Sequence, residues 1–135
     1  MKILIVEDDY LNLKLYSEIM ELSGFEVVQA KDGLNVIELA RMHSPSAIIM
    51  DLQLPFKNGL QLTIELKAHA ELANIPIIAV TGFAEPQHRT FCIESGFDDF
   101  FSKPLNIREL VASVARLTNI KMPNFMIEHG HSVSL

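Results

Sequence analysis

The sequence predicts one α/β domain in which helices cover both faces of a five-stranded parallel sheet, a doubly wound three-layer sandwich. Its 135 residues are the length of one domain rather than two. Short apolar runs rich in β-branched residues recur along the chain, and such runs are typical of strands buried on both faces. Segments of helical length separate these runs, and this alternation implies parallel strands joined by right-handed crossovers.

Five short runs are the predicted strands. The first four consist almost entirely of Ile, Val, Leu, Met and Ala, whereas Asp98 and Asp99 interrupt the fifth. The runs cover residues 3–6, 27–28, 47–50, 77–80 and 97–101.

The first helix is predicted over residues 10–23, because apolar side chains recur there at helical spacing and Gly24 follows as a stop signal. The apolar side chains of this face are Leu11, Leu15, Ile19 and Leu22.

The segment that contains Leu60 to Leu66 fits either a strand or a helix. Leu60, Leu62, Ile64 and Leu66 alternate with polar residues as in a half-buried strand, yet the Gln, Glu, Lys and Ala around them are good helix formers. We predict a helix, because the segment lies between two predicted strands and is long enough for one helix.

Start and stop signals predict the remaining helices. Pro45 ends the second, Pro86 suits the first turn of the fourth, and Asn106 is the N-cap of the fifth. These helices cover residues 34–43, 86–96 and 106–118.

The composition excludes several classes of function. The formal net charge of -6, from 17 acidic and 11 basic residues, argues against binding to nucleic acid or to an anionic membrane surface. No apolar run approaches the roughly 20 residues that span a bilayer, and the run after Lys2 stops at Glu7 without a cleavage site. We therefore expect a cytoplasmic protein. The single cysteine, Cys92, has no partner for a disulfide and reads as a small buried side chain.

Polar side chains follow the predicted strands at their carboxyl ends, where open α/β sheets carry their functional groups. Because carboxylates within a few ångströms repel, such a cluster either takes up protons or holds a cation. Mg²⁺ suits oxygen ligands of this kind and completes its shell with phosphate oxygens. The side chains are Glu7, Asp8 and Asp9 after the first strand, Asp51 after the third, Thr81 after the fourth and Lys103 after the fifth.

The pattern predicts a metal-dependent site that accepts a phosphoryl group. Asp8 and Asp51 supply carboxylates to the metal and Glu7 acts through water, whereas Asp9 caps the first helix. Lys103 adds a positive charge and Thr81 a hydrogen-bond donor, so together they anchor a phosphoryl group. Asp51 is the candidate nucleophile, and its product would be an aspartyl phosphate.

Four motifs together resemble the receiver domain of two-component response regulators over residues 2–118. They are Ile5 to Asp9, Ile48 to Pro55 with Gly59, Val80 to Gly82, and Ser102 to Pro104. The resemblance implies a CheY-like, flavodoxin-like fold with strand order 2-1-3-4-5. It also implies that a histidine kinase or a histidine phosphotransfer protein phosphorylates Asp51, with Mg²⁺ (or Mn²⁺) held by Glu7, Asp8, Asp51 and the backbone carbonyl of Gln53.

The resemblance assigns further roles to individual residues. Thr81 moves onto the phosphoryl group and Phe100 turns inward to fill the vacated space, which makes the two a switch. Gln53 and Phe83 control the approach of the hydrolytic water, and a bulky Phe83 should lengthen the lifetime of the phosphate. Pro104 follows a cis peptide bond in this family.

The resemblance also implies partners. Tyr10, Leu11 and Asn12 form the docking side for the phosphodonor, and the fourth helix, fifth strand and fifth helix form the output surface toward a downstream protein. We expect a monomer or weak dimer, with a receiver over residues 1–120, a tail over 121–135 and no effector domain. Several segments are similar to the single-domain DivK type of cell-cycle regulator.

Other functions stay open at this point. The chain could be a phosphorylation switch, or a phosphorelay intermediate or phosphate sink without its own output. An enzyme on the same architecture is less compatible with the residues: Glu7 to Asp9 would repel the phosphate of FMN, and Gln53 stands where an aspartate-based phosphatase needs a general acid. His129 and His131 lack a third ligand for a metal.

Overall fold

The computed structural model describes residues 1–82 and 86–122, and in these residues five strands alternate with five helices. All strand pairs are parallel, and the sheet order is β2-β1-β3-β4-β5. The predicted doubly wound fold is therefore confirmed. The elements are β1 Lys2–Val6, α1 Tyr10–Leu22, β2 Glu26–Ala30, α2 Val36–His43, β3 Ala47–Asp51, α3 Gly59–Ala68, β4 Ile77–Thr81, α4 Pro86–Glu94, β5 Asp99–Ser102 and α5 Ile107–Thr118.

The sheet separates two hydrophobic cores. One core joins α1 and α5 to one face and includes Leu13, Met20 and Leu110. The other joins α2, α3 and α4 to the opposite face and includes Leu62 and Cys92. Strands β3 and β4 are buried along their whole length, which is the reason for their uninterrupted apolar sequences.

Register brings the ends of the central strands to one edge of the sheet. Val6 pairs with Met50, Asp51 with Val80, and Thr81 with Ser102. The residues that immediately follow β1 and β5 therefore lie beside the last residues of β3 and β4.

Helix α1 has the predicted bounds to within one residue, but it does not bury the predicted face. Its buried side chains are Leu13, Tyr16, Ser17 and Met20. Leu11 and Leu22 are each 72% exposed. Positions 13, 16 and 20 repeat at helical spacing just as 11, 15, 19 and 22 do, so periodicity alone does not say which stripe packs against the sheet.

The ambiguous segment is a helix, as predicted. Helix α3 begins after Asn58, whose side-chain oxygen accepts a hydrogen bond from the backbone N–H of Gln61 at 2.8 Å. Leu62 and Leu66 are buried, whereas Ile64 is exposed. An N-cap and four-residue spacing between the buried leucines are helical features that outweigh the local alternation.

Two predicted bounds shift for identifiable reasons. The predicted fifth strand began at Phe97, but β5 begins at Asp99 because the Asp98 carboxylate accepts a hydrogen bond from the backbone N–H of Ile77. Helix α2 begins at Val36 rather than at Leu34, whose N–H instead bonds the Asp32 carboxylate in a turn.

Two glycines mark helix ends. Gly24 follows α1 with φ of +95°, and Gly96 follows α4 with φ of +109°. Both angles lie in the left-handed region that favours glycine, so the predicted stop signal at Gly24 is confirmed.

Candidate phosphoryl-accepting site

The turn after β1 contains the acidic residues of the site in three different environments. Glu7 is buried and its Oε2 accepts a hydrogen bond from the backbone N–H of Asp9 at 3.1 Å. Asp8 is exposed. Asp9 is the N-cap of α1, because its side chain accepts hydrogen bonds from the N–H groups of Leu11 and Asn12. The predicted cap is confirmed, and it directs Asp9 to the helix rather than to the other acids.

Asp51 ends β3 and is almost completely buried. Its Oδ1 accepts a hydrogen bond from the backbone N–H of Gln53 at 2.9 Å, and its Oδ2 lies 3.3 Å from Lys103 Nζ. Gly59 permits the tight chain reversal behind it, since a Cβ on Gly59 would lie 2.5 Å from the Asp51 carbonyl oxygen. The Asp51 carboxylate is therefore held in a fixed orientation between an N–H donor and an ammonium group.

Lys103 connects two of the buried acids. Its Nζ lies 3.1 Å from Glu7 Oε1 and 3.3 Å from Asp51 Oδ2. The backbone N–H of Lys103 bonds the carbonyl oxygen of Thr81 at 2.7 Å, which fixes the start of the loop after β5. The peptide bond between Lys103 and Pro104 is cis, as the resemblance implied.

The acidic cluster offers the oxygen ligands that a hard divalent cation prefers. Glu7, Asp8 and Asp51 each offer a carboxylate oxygen, and these oxygens all lie within 4.8 Å of one another. The buried Oε1 of Glu7 has the Lys103 ammonium as its ion-pair partner. A site of three neighbouring carboxylates, two of them buried, fits Mg²⁺, which prefers oxygen ligands.

Burial and neighbouring charges change the proton affinities of the site. Desolvation, a hydrogen bond to Asp51 and repulsion from that carboxylate raise the pKa of Glu7 to about 7. Burial lowers the pKa of the Lys103 ammonium, but the Glu7 and Asp51 carboxylates outweigh burial and the net change is upward. Burial also raises the pKa of Tyr16 on α1 to about 12, with a smaller effect from the Glu7 charge.

Thr81 and Gly82 complete the edge of the site at the end of β4. Thr81 is buried, and the N–H of Gly82 donates a hydrogen bond to the Gln53 carboxamide oxygen at 3.1 Å. The structure thus brings together Glu7, Asp51, Thr81 and Lys103 as predicted from the strand ends. No local sequence pattern indicates the contact between Gln53 and Gly82, which are 29 positions apart.

A family model for the response regulator receiver domain matches residues 3–115. The chain belongs to the response regulator receiver family. The polar-differentiation response regulator DivK of Brucella ovis is 39% identical over 112 residues, which are 83% of this receiver and 91% of that protein. DivK of Brucella abortus matches to the same extent.

Solved receiver domains share the fold. The receiver domain of a Pseudomonas aeruginosa sensor histidine kinase, solved with a magnesium ion coordinated in its active-site cleft, superposes with a TM-score of 0.80. It is 30% identical, and the match covers 87% of this receiver and 97% of that chain. The receiver domain of a Francisella response regulator gives a TM-score of 0.82 at 25% identity, with 87% and 96% covered. Receiver domains bind Mg²⁺ at an acidic pocket, and Glu7, Asp8 and Asp51 form an acidic cluster in this one.

The receiver's predicted switch aromatic, Phe100, is buried. Its ring belongs to the core that contains Cys92 and Phe97, and only 5% of the residue is exposed. The sequence did not single out Arg89, yet this α4 side chain donates a hydrogen bond to the Phe100 carbonyl oxygen. Phe83, predicted to tune hydrolysis, lies outside the described residues.

The predicted docking residues of the receiver are at the surface beside the site. Tyr10 and Leu11 are 67% and 72% exposed at the start of α1, and Asn12 follows them on the same helix. None of the helices in the described part of the chain is long and apolar enough to cross a membrane. His129, His131 and most of the predicted tail lie outside the described residues.

Proposed function

We propose that this receiver accepts a phosphoryl group on Asp51 from a histidine kinase or a histidine phosphotransfer protein. One observation carries the proposal: the buried Asp51 carboxylate lies between the Gln53 N–H and the Lys103 ammonium, and the Glu7 and Asp8 carboxylates lie beside it. A carboxylate in this position is oriented for attack, and the neighbouring ammonium offsets its charge.

In the transfer, an oxygen of the Asp51 carboxylate forms a bond to phosphorus while the bond between phosphorus and the donor imidazole nitrogen breaks. The Lys103 ammonium then offsets charge on the phosphoryl oxygens, and the Thr81 hydroxyl supplies a hydrogen bond to them. Glu7, Asp8, Asp51 and the backbone carbonyl of Gln53 would hold Mg²⁺ or Mn²⁺. The bound cation supplies positive charge that lets the acidic pocket attract a phosphoryl group.

The donor protein docks beside the site on the exposed start of α1. Leu11, Leu15 and Tyr10 leave apolar surface there without burial against the rest of the described chain. A helical phosphodonor could cover this surface and bring its phosphohistidine to Asp51. The same surface would serve return transfer, so a phosphorelay intermediate and a terminal switch share this docking mode.

We assign the output to the face formed by α4, β5 and α5. This face has a groove of about 780 Å³ that is lined by Arg89, Phe100 and Arg116 among others. A change at Thr81 and Phe100 would reach a partner here, and phosphorylation would act by favouring one conformation of the face. The similarity to DivK supports a cytoplasmic regulator of cell polarity or the cell cycle, with a receiver over residues 1–120 and a tail over 121–135.

Incubation with acetyl phosphate and Mg²⁺, followed by intact mass spectrometry, tests the proposal. The wild-type protein should gain about 80 Da, the mass of one phosphoryl group. Asp51→Asn should gain nothing, whereas Asp32→Asn, which changes an aspartate in the loop after β2, should behave like the wild type. An undiminished adduct on Asp51→Asn would refute the assignment of Asp51.

A further inference from the structure

The buried ring of Phe100 lies under a side chain from another element. Phe100 is on β5, which lies at the edge of the sheet formed by the described residues, and it pairs with Ala79 of β4. Arg89 approaches from α4, and its guanidinium carbon lies 6.0 Å from the centroid of the Phe100 ring. The guanidinium is therefore close enough to interact with the ring face.

The same guanidinium also contacts the backbone of the switch residue. Arg89 Nη1 donates a hydrogen bond to the Phe100 carbonyl oxygen at 3.1 Å, and Nη2 lies 3.7 Å from Asp99 Oδ1. An exposed arginine pair on its own contributes little to stability. Here, however, the planar guanidinium contacts the ring of Phe100, the carbonyl of Phe100 and the carboxylate of Asp99. Three contacts therefore restrain the orientation of the guanidinium.

Asp99 extends these contacts to α5. Its Oδ1 accepts a hydrogen bond from the Phe100 N–H at 2.8 Å, and its Oδ2 accepts one from Ser113 Oγ at 2.6 Å and one from Arg116 Nη2 at 3.1 Å. Only 15% of the Asp99 side chain is exposed. This mostly buried carboxylate has hydrogen-bond donors from β5 and α5 and a cation from α4, so it joins the three elements of the proposed output face.

We propose that Arg89 is a positioning residue that holds Phe100 in its buried conformation, and that Asp99 transmits this restraint to α5. Together, Arg89, Asp99 and Arg116 form a clamp across α4, β5 and α5. Movement of α4 or α5 changes the restraint on Phe100, and movement of Phe100 changes the spacing of the two helices. The contacts of the clamp do not involve Asp51, and the coupling of the clamp to Asp51 rests on the proposed function.

The direct test is ¹⁹F NMR of protein labelled with 3-fluorophenylalanine, in which Phe100→Leu identifies the resonance of Phe100 among the eight phenylalanines. Arg89→Ala and Arg89→Gln should shift or broaden that resonance, and Asp99→Asn should do so to a smaller extent. Arg41→Ala is the matched control, because Arg41 contacts only Glu71 and His69 among the described hydrogen-bond partners. A Phe100 resonance that is identical in wild type, Arg89→Ala and Arg89→Gln would overturn the clamp.

A second measurement tests the coupling. Beryllofluoride mimics a phosphoryl group on aspartate, and its affinity can be measured by titration in the presence of Mg²⁺. If the buried Phe100 conformation favours the modified state, Arg89→Ala should weaken beryllofluoride binding by about threefold or more. Equal affinity for wild type and Arg89→Ala would overturn the coupling.

The two proposals fail in different ways. If the wild type binds no beryllofluoride and gains no phosphoryl group, the proposed function fails. The effect of Arg89→Ala on the Phe100 resonance of the unmodified protein would still support the clamp in that case. Thermal melts of each variant show whether it is folded, and the conservative Arg89→Gln replaces Arg89→Ala if the latter is not.

Discussion

The carboxamide oxygen of Gln53 accepts a hydrogen bond from the backbone N–H of Gly82 across the mouth of the site, at 3.1 Å. Gly82 follows Thr81 directly, so this N–H is beside the proposed position of the phosphoryl group. A Cβ at Gly82 would lie 3.2 Å from the same carboxamide oxygen, which is tighter than ordinary contact. The neutral carboxamide of Gln53 is thus the hydrogen-bond acceptor of the backbone N–H that follows Thr81.

Removal of the carboxamide should leave the Gly82 N–H to solvent. We expect Gln53→Ala to accelerate hydrogen exchange of this amide about fivefold, the equivalent of one net hydrogen bond of about 1 kcal/mol. Amide exchange measured by ¹⁵N NMR checks this. Gln61→Ala, which truncates an exposed glutamine on α3, should leave the Gly82 rate unchanged. An unchanged rate in Gln53→Ala would show that the bond does not protect Gly82 in solution.

Mg²⁺ should stabilise the protein through Asp8, because ligands that bind only the native state increase the free energy of unfolding. Asp8 is exposed and its neutralisation should cost little stability without metal. We therefore expect Asp8→Asn to keep the metal-free melting temperature and to lose the increase on adding Mg²⁺. Asp9→Asn is the control, since asparagine also caps helices and Asp9 is outside the proposed metal set. Loss of the Mg²⁺ response in Asp9→Asn but not in Asp8→Asn would reverse the two assignments.

The raised pKa of Glu7 makes stability depend on pH in metal-free buffer. Because the pKa rises from 4.5 to about 7, the native state binds more protons than the unfolded state between these values. Stability should therefore fall as pH rises through this window, by about 1–3 kcal/mol in total. Urea unfolding between pH 4.5 and 8 measures the slope. Glu7→Gln, which cannot ionise, should show a smaller decrease, and an identical decrease would assign the slope to another group.

Phe56 has a left-handed backbone that its side chain does not favour. Its φ is +71° and 81% of the residue is exposed in the loop between β3 and α3. Phe56→Gly should raise the free energy of unfolding by about 1 kcal/mol, because glycine adopts this φ without a Cβ clash. Phe56→Ala keeps the Cβ and should bring no such gain. Urea unfolding compares the three proteins, and an equal gain in both variants would attribute it to the exposed ring rather than to the backbone.

The strand ends were predictable because they depend on local patterns. A buried parallel strand is an uninterrupted apolar run, so Glu7 and Asp51 could be placed at the ends of β1 and β3 before any contact was known. Lys103 could be placed after the fifth run even though Asp98 and Asp99 interrupt that run. Contacts between distant loops leave no such pattern, and for this reason Gln53 with Gly82 and Arg89 with Phe100 emerged only from the structure. The buried face of α1 could not be predicted from the sequence either, because two apolar stripes on this helix have the same helical period.

The most direct test of the central claim is to locate the phosphoryl group chemically. After treatment with acetyl phosphate and Mg²⁺, sodium borohydride reduces an aspartyl phosphate to homoserine, which peptide mass spectrometry identifies by position. The proposed function predicts homoserine in place of Asp51 and at no other aspartate. Conversion at Asp8 or Asp9 instead, or no conversion in a protein that gains the mass of a phosphoryl group, would contradict it.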